Sequence, residues 1–562
     1  MHKITTKLFS VVLAGAVAFV FAPSVAFADD PPAAPGGSSS SSDSSVTWSG
    51  ATEIIAAGTY ANGTYSSTTA SQNALLVNTS GAVTLTGPTV TKTGGTSAGD
   101  DESFYGINSG IMCKGGGTTT ITGATINTAA PGANAVFSYG GNATTNATSG
   151  DGTTVVISDS AITTTGNGSG GIMTTGYGTT KASNLTIKTS GDSSAAIRSD
   201  RGGGVVTVDG GTYETSGTGS PAVYATATIT VSNATLKSTA SQGVVNEGGN
   251  TVVLNNCTVN AGNSTLGSQD NFKNGIFLYQ SMSGDSSDGA SVLTMSGGTI
   301  NNSCGHVFHV TNTSASVTLS KVTINNTDSE GVFLSVCDDA WSGLSNVATV
   351  NAEDQTISGN MLVGSDSTLN LNLKGNSVWT GAVSGSITSH RDSSAISSSV
   401  GTVNVTIESG STWTLTADTT VTSLTNNGTV NTNGHTLTVS GTSDGGGSQT
   451  DSGGSSDSSS NTTDSTATCI DVTTASVPSI SKVTLKNIKG AKAKVTIKAS
   501  GDPTKYIVKY KTAGGTWKKK TVKKTSFKLN VKAGKKLTVK VMAVNSAGRS
   551  SWVKKTIKVD KK

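Results

Sequence analysis

A block of ten residues returns along this chain at an interval that few folds can accommodate. Val83 to Lys92 reads VTLTGPTVTK, Thr119 to Thr128 TTITGATINT and Val155 to Thr164 VVISDSAITT, and further copies start at Thr180, Val206, Ile229, Val252, Leu293 and Val317. Successive starts lie 36, 36, 25, 26, 23, 23, 41 and 24 residues apart, a unit of about 23 to 26 residues carrying three insertions. Positions 1 and 3 of the block are mostly apolar while 2 and 4 are mostly Thr, Ser, Asp or Asn, the period of a strand with one buried face. Positions 5 and 6 are small or turn-prone, and position 8 is apolar throughout, from Val90 and Ile126 to Ile300 and Ile324. A third short strand follows a turn and centres on Ile107, Val136, Ile172, Ile197, Val223, Val244, Ile276, Val307 and Val332. Three such strands can bury their inward residues only against the next unit, which predicts a parallel β-helix. About 12 coils at the strand spacing make a rod on the order of 60 Å.

Composition agrees with an all-β chain. Aromatic residues make up 5% of 562, with abundant Thr, Ser, Gly and Val, while 70 Gly without a triplet period exclude collagen. Less regular coils, through LNLNL at Leu369 to Leu373 and VNVTI at Val403 to Ile407, are expected to continue to about Gly441.

The ends differ from the body. Lys3 and Lys7, an apolar run from Leu8 to Phe21 and Ala26-Phe27-Ala28 have the layout of a secretory signal peptide over residues 1–28. No second apolar stretch of membrane length follows, so the expected product is secreted, extracellular or associated with the cell surface. A Ser/Pro/Gly linker is expected over 29–46, the β-helix over 47–441 and a Ser/Gly/Thr linker over 442–475. From Ala475 onward there are 24 Lys and one Arg against two Asp, a net +23, whereas Asp29 to Thr474 carries −21. The five cysteines are odd in number and widely spaced, unlike a disulfide framework.

Residues 476–562 carry longer alternating strands: KYIVKY at Lys505 to Tyr510, Gly514-Gly515, Trp517, and AGKKLTVKVMA at Ala533 to Ala543 before Asn545-Ser546-Ala547-Gly548. This segment resembles a bacterial fibronectin type III domain, which implies an antiparallel β-sandwich. It departs from that family in having no Trp within Lys494 to Lys498 and Leu537 where Tyr is usual. The repeats resemble the pectate-lyase-like right-handed parallel β-helix superfamily, whose members include polysaccharide lyases, polygalacturonases and non-catalytic surface proteins. The fold alone therefore leaves function open.

For the polygalacturonase-like hydrolases the resemblance implies an Asn-Thr-Asp, an Asp-Asp, a Gly-His-Gly and an Arg-x-Lys. Asn326-Thr327-Asp328 and Asp338-Asp339 match two of these, but Gly305-His306 precedes them, is followed by Val307, and no Arg-x-Lys comes after. These residues are read as corner residues. Arg198, Asp200 and Arg201 form a charged knot that could serve a lyase, but it is read as a surface ion pair beside the Gly202-Gly203-Gly204 turn. His306 and His309 lack a third ligand at close spacing, so no metal or cofactor is expected. A partial Thr array at Thr84, Thr120, Thr207, Thr230, Thr294 and Thr318 resembles that of ice-binding proteins, but Thr is a favoured outward strand residue.

The residues following the inward Ile or Val of the third strand point outward if the register holds. They place Phe137, Tyr224, Phe277, Phe308 and Phe333 in one column, with Tyr139 and Tyr279 two residues beyond their neighbours. An exposed column of rings is a platform for sugar faces; if insertions cover it or the register is reversed, the rings are core. The expected function is a non-catalytic, adhesin-like or carbohydrate-binding rod from a bacterium, monomeric, with a glycan or surface ligand and no nucleic acid partner. Its Lys-rich domain would hold an anionic cell-wall polymer. The alternative is a polysaccharide lyase or glycoside hydrolase of the same fold.

Overall fold

The computed structural model describes residues 46–95, 100–145, 147–267, 270–281, 283–451, 478–488, 492–500, 503–531, 533–545, 548–550 and 552–560. The signal-peptide segment, residues 29–45 and residues 452–475 lie outside the described residues. Among the described residues the chain is all-β apart from one short helix, Asp100–Tyr105. Its body is a parallel β-helix: thirteen parallel strands from Gly50–Ile54 to Val383–Ser384 form one sheet, and twenty-three strands form a second, bent sheet. Two 12-residue strands, Gly178–Thr189 and Gly204–Thr215, run through the bend unbroken and join its two halves.

Position 3 of the repeat forms one inward column. Leu85 pairs with Ile121, Ile121 with Ile157, and the series continues through Ala182, Val208, Val231, Leu254 and Met295 to Leu319. All are buried, and each full burial of a large aliphatic side chain is worth roughly 1.5–3 kcal/mol. The position-2 threonines face outward on the same strands.

Position 5 is the corner. Gly87, Gly123, Asp159, Asn184, Gly210, Asn233, Asn256, Gly297 and Lys321 all take left-handed backbone, with φ between 50° and 70°. Glycine reaches that region freely and Asn or Asp at small cost, which accounts for the composition of the corner. Asn side chains also bond from coil to coil: Asn184 Nδ2 donates to Asp159 Oδ1 at 2.7 Å and Asn256 Nδ2 to Asn233 Oδ1 at 3.2 Å.

The third strand departs from expectation at three coils. Ile111, not Ile107, pairs with Val136, and Ile107 packs outside the helix. Phe308 pairs with Ile276 and Leu334 with Phe308, so these take the inward positions assigned to Val307 and Val332. Val307 is buried in the core beside Phe308.

Coils continue past Gly441, where Ser443–Asp444 and Ser448–Thr450 add parallel strands to the stack. Near this end Trp379 and Trp413 stack inside the rod with ring centroids 4.6 Å apart.

Insertions lash distant coils together. Arg201 Nη2 reaches Asp285 Oδ1 at 3.0 Å across 84 residues, Ser287 Oγ donates to Thr145 O at 3.1 Å across 142, and Arg391 Nε donates to Asp270 O at 2.9 Å across 121.

The described residues between 478 and 560 form an antiparallel sandwich. One sheet holds Ser479–Ile488, Lys492–Ser500 and Ser526–Asn530; the other holds Lys505–Thr512, Lys518–Val522, Lys536–Asn545, Gly548–Arg549 and Val553–Lys558. Val483, Val495, Tyr506, Val508, Leu529, Leu537 and Val541 fill the space between them.

Candidate functional site

The outward column of the thirteen-stranded sheet runs Met112, Phe137, Met173, Arg198, Tyr224, Val245, Phe277, His309, Ser335 and Leu362. Five of the seven expected rings, Phe137, Tyr139, Tyr224, Phe277 and Tyr279, stand on this face. Phe308 and Phe333 do not: they pack into the helix core with their rings 5.2 Å apart. A one-residue slip exchanges the two faces of a strand, and His309 occupies the outward position expected for Phe308.

The column is not an open platform, because all seven rings are between 0% and 4% exposed. The helix Asp100–Tyr105 and the segments around Trp48 and Trp341 cover it. Phe104, Tyr105 and Ile107 close over Phe137 and Tyr139, Trp48 lies 5.4 Å from the Tyr139 ring, and Trp341 lies 5.4 Å from the Tyr279 ring. What stays open beside Tyr224, Phe277, Tyr279 and Trp341 is a cleft of about 40 Å³, also bordered by Gln242 and Asp270. That holds water but not a sugar ring.

Beneath this cover lies a polar cluster. Glu247 accepts hydrogen bonds from the hydroxyls of Tyr224 and Ser281, from Tyr279 at 3.1 Å and from Ser286 at 3.4 Å. Burial and then the nearby Asp285 push its carboxyl up, and the hydroxyl donors oppose them. Asp200 pairs with Arg198 at 2.9 Å, both buried, and accepts the Arg201 N–H at 2.9 Å. Its carboxyl is raised to about 7, chiefly by burial, against the pull of Arg198 and with a further push from Asp285. The charged knot of the sequence is therefore buried rather than a surface ion pair. Arg201 also lies over the Phe104 ring at 4.0 Å and ties two insertions to the sheet.

The third zone is a hydrogen-bonded chain that spacing alone did not reveal. His309 Nε2 meets Asp339 at 3.0 Å, the Nδ1 atoms of His309 and His306 both meet Ser335 Oγ, His306 Nε2 lies 3.5 Å from Glu330, and His390 Nε2 lies 3.2 Å from Glu330. Phe272 packs against all three imidazoles. Ligand atoms of His306, Glu330 and His390 fall within 4.8 Å of one another, but His390 Nδ1 accepts the Lys273 N–H at 2.9 Å. The neutral ring then carries its proton on Nε2 and donates it to Glu330, whereas a metal-binding imidazole donates from its other nitrogen. The arrangement fits a hydrogen-bonded clasp better than a ligand set.

Asp328 Oδ2 accepts the Gly305 N–H, Asp338 Oδ1 accepts from Asn346, and Asp339 Oδ1 accepts the N–H groups of Asn271 and Ala340. These acids cap corners and insertions. Cys113, Cys257, Cys304 and Cys337 are free thiols, and burial raises Cys113 to about 12. Among the described residues no helix is long and apolar enough to cross a membrane.

No family model and no curated protein matches this chain. Among solved structures, the FN1–FN3 domains of chicken CNTN1 share 21% identity over 15% of this chain and 32% of theirs, with a TM-score of 0.14. A structure named FN3tt mut shares 22% over 15% of this chain and 99% of its own, also at 0.14. The cell-surface chitinase ChiW of Paenibacillus sp. str. FPU-7 shares 13% over 72% of this chain and 24% of its own, again at 0.14. The chain thus spans about a third of the CNTN1 fragment and about a quarter of ChiW.

Proposed function

We propose that this chain is a secreted bacterial surface protein, a non-catalytic β-helix rod with adhesin-like or carbohydrate-binding character, held at the cell by its basic C-terminal sandwich. Within the pectate-lyase-like superfamily this corresponds to the non-catalytic branch, and the sandwich to a fibronectin type III-like module. The observation that carries this reading is the use made of the acids on the outer sheet face: Glu247 is surrounded by four hydroxyl donors and Asp200 is paired with Arg198, both buried. Groups engaged in this way hold the insertions over the sheet, whereas a glycosidase needs an acid and a base flanking an open bond. Incubation of the full chain with pectin, uronic-acid polymers and host glycans should release neither unsaturated nor reducing ends, while a glycan array identifies the ligand.

A second reading, a lyase or hydrolase, is favoured by one observation: a carboxyl raised to about 7 at Asp200 lies in the same cluster as Tyr224 and Glu247, which border or underlie the cleft. Product release abolished by Asp200→Asn would establish it.

A further inference from the structure

The outer face of the five-stranded sandwich sheet carries a row of like charges. Lys519 lies directly opposite Lys509, Lys509 opposite Lys540, and Lys540 opposite Lys554, so four neighbouring strands each present one lysine on the same line. Directly opposed like charges destabilise a sheet, and here they are not relieved internally: all ion pairs among the described residues lie in the β-helix. The inward neighbours Val508, Val539 and Val541 are buried, which fixes the row to the solvent side.

Two large rings accompany the row. Trp517 and Trp552 are 42% and 38% exposed, unlike the buried Trp379 and Trp413. The Trp517 ring lies beneath the ammonium groups of Lys511 at 5.0 Å and Lys540 at 5.5 Å, and the Trp552 ring beneath Lys509 at 5.5 Å. Trp517, Lys509, Lys518, Lys519 and Lys540 line a shallow depression of about 330 Å³. The surface therefore offers cations in a line with indole faces beside them.

We propose that this face is a binding site for an acidic polysaccharide, with the lysine row pairing the carboxylates of successive sugar residues and Trp517 and Trp552 stacking on sugar rings. The indoles separate this ligand from a polyanion without rings, since a ring face gains from an apolar sugar face and offers little to a bare phosphate chain. The proposal rests on electrostatic retention by the basic sandwich and names the surface and the polymer class.

The test uses the full chain with three probes: polygalacturonate, inorganic polyphosphate and neutral dextran. Polygalacturonate should bind at low ionic strength and be released as salt rises, and dextran should not bind. The double variant Trp517→Ala/Trp552→Ala should weaken polygalacturonate binding by about tenfold and leave polyphosphate binding unchanged. Lys509→Gln/Lys540→Gln should weaken both, with the thermal transition of each variant checked against the parent. Polygalacturonate binding indifferent to loss of the indoles overturns the site while leaving charge-based retention intact. Failure of the parent to bind any polyanion overturns both.

Discussion

The Nδ1 atoms of His306 and His309 face a single hydroxyl, Ser335 Oγ, at 2.6 and 2.7 Å. A hydroxyl has one proton, so it donates to one ring and accepts from the other, and the two imidazoles hold opposite roles at that atom. Ser335→Ala leaves both buried nitrogens without this partner. A loss of roughly 1–3 kcal/mol in urea unfolding is expected.

His306 also gives the clasp a pH dependence. Burial holds its ring down to about 4, with His309 and His390 adding to the effect and Glu330 opposing it. An unfolded histidine titrates near 6.5. Between those values the unfolded chain takes up a proton that the folded chain refuses, so this contribution is complete above about pH 6.5 and declines as pH falls toward 4. Glu330, held near 2 chiefly by its bond with His306, adds loss in the same direction below about pH 4.5. Its half-exposed position keeps that part small. Unfolding midpoints at pH 7 and pH 4.5 should differ less in His306→Gln than in the parent.

Removing the buried rings tests the cover. Alanine at Phe277, which lies under the insertions, or at Phe308, which lies inside the helix, is expected to cost about 3–5 kcal/mol in each case. The triple variant Tyr224→Ala/Phe277→Ala/Phe308→Ala should therefore fail to give a folded body. A triple variant with a parent-like thermal transition would place the rings in solvent.

Lys321 is the only corner residue of the nine repeats that is neither Gly, Asn nor Asp, and its φ is 55°. A bulky residue there costs roughly 1–2 kcal/mol, and its ion pair with Asp354, 3.7 Å long and largely exposed, returns little. Lys321→Gly should raise stability by about 0.5–1 kcal/mol, read from chemical denaturation.

The sequence made the repeating part of the fold legible because the same residues recur where the geometry recurs. The corner at position 5 is visible as Gly, Asn or Asp, and the inward column from Leu85 to Leu319 as alternation. The third strand was less legible. Val307 and Phe308 are both apolar, and alternation alone cannot say which faces inward when an insertion precedes them. The insertions were hidden for another reason: they are polar and aperiodic, and Arg201 meets Asp285, or His306 meets Glu330 and His390, through the stacking of coils. Without the insertions in view, rings on the outer sheet face look exposed.

Identical inward patterns create a counting problem for a folding rod. At most positions a coil that docked one repeat out of step would still find Val, Ile or Leu waiting for its own, so core burial discriminates weakly between the correct neighbour and the next. The lashings from Arg201 to Asp285, Thr145 to Ser287 and Asp270 to Arg391 form only when every intervening coil is in place. They act as a tally: a frame-shifted stack keeps its core but leaves these groups without their partners, and the correctly counted rod is the one in which the lashings close.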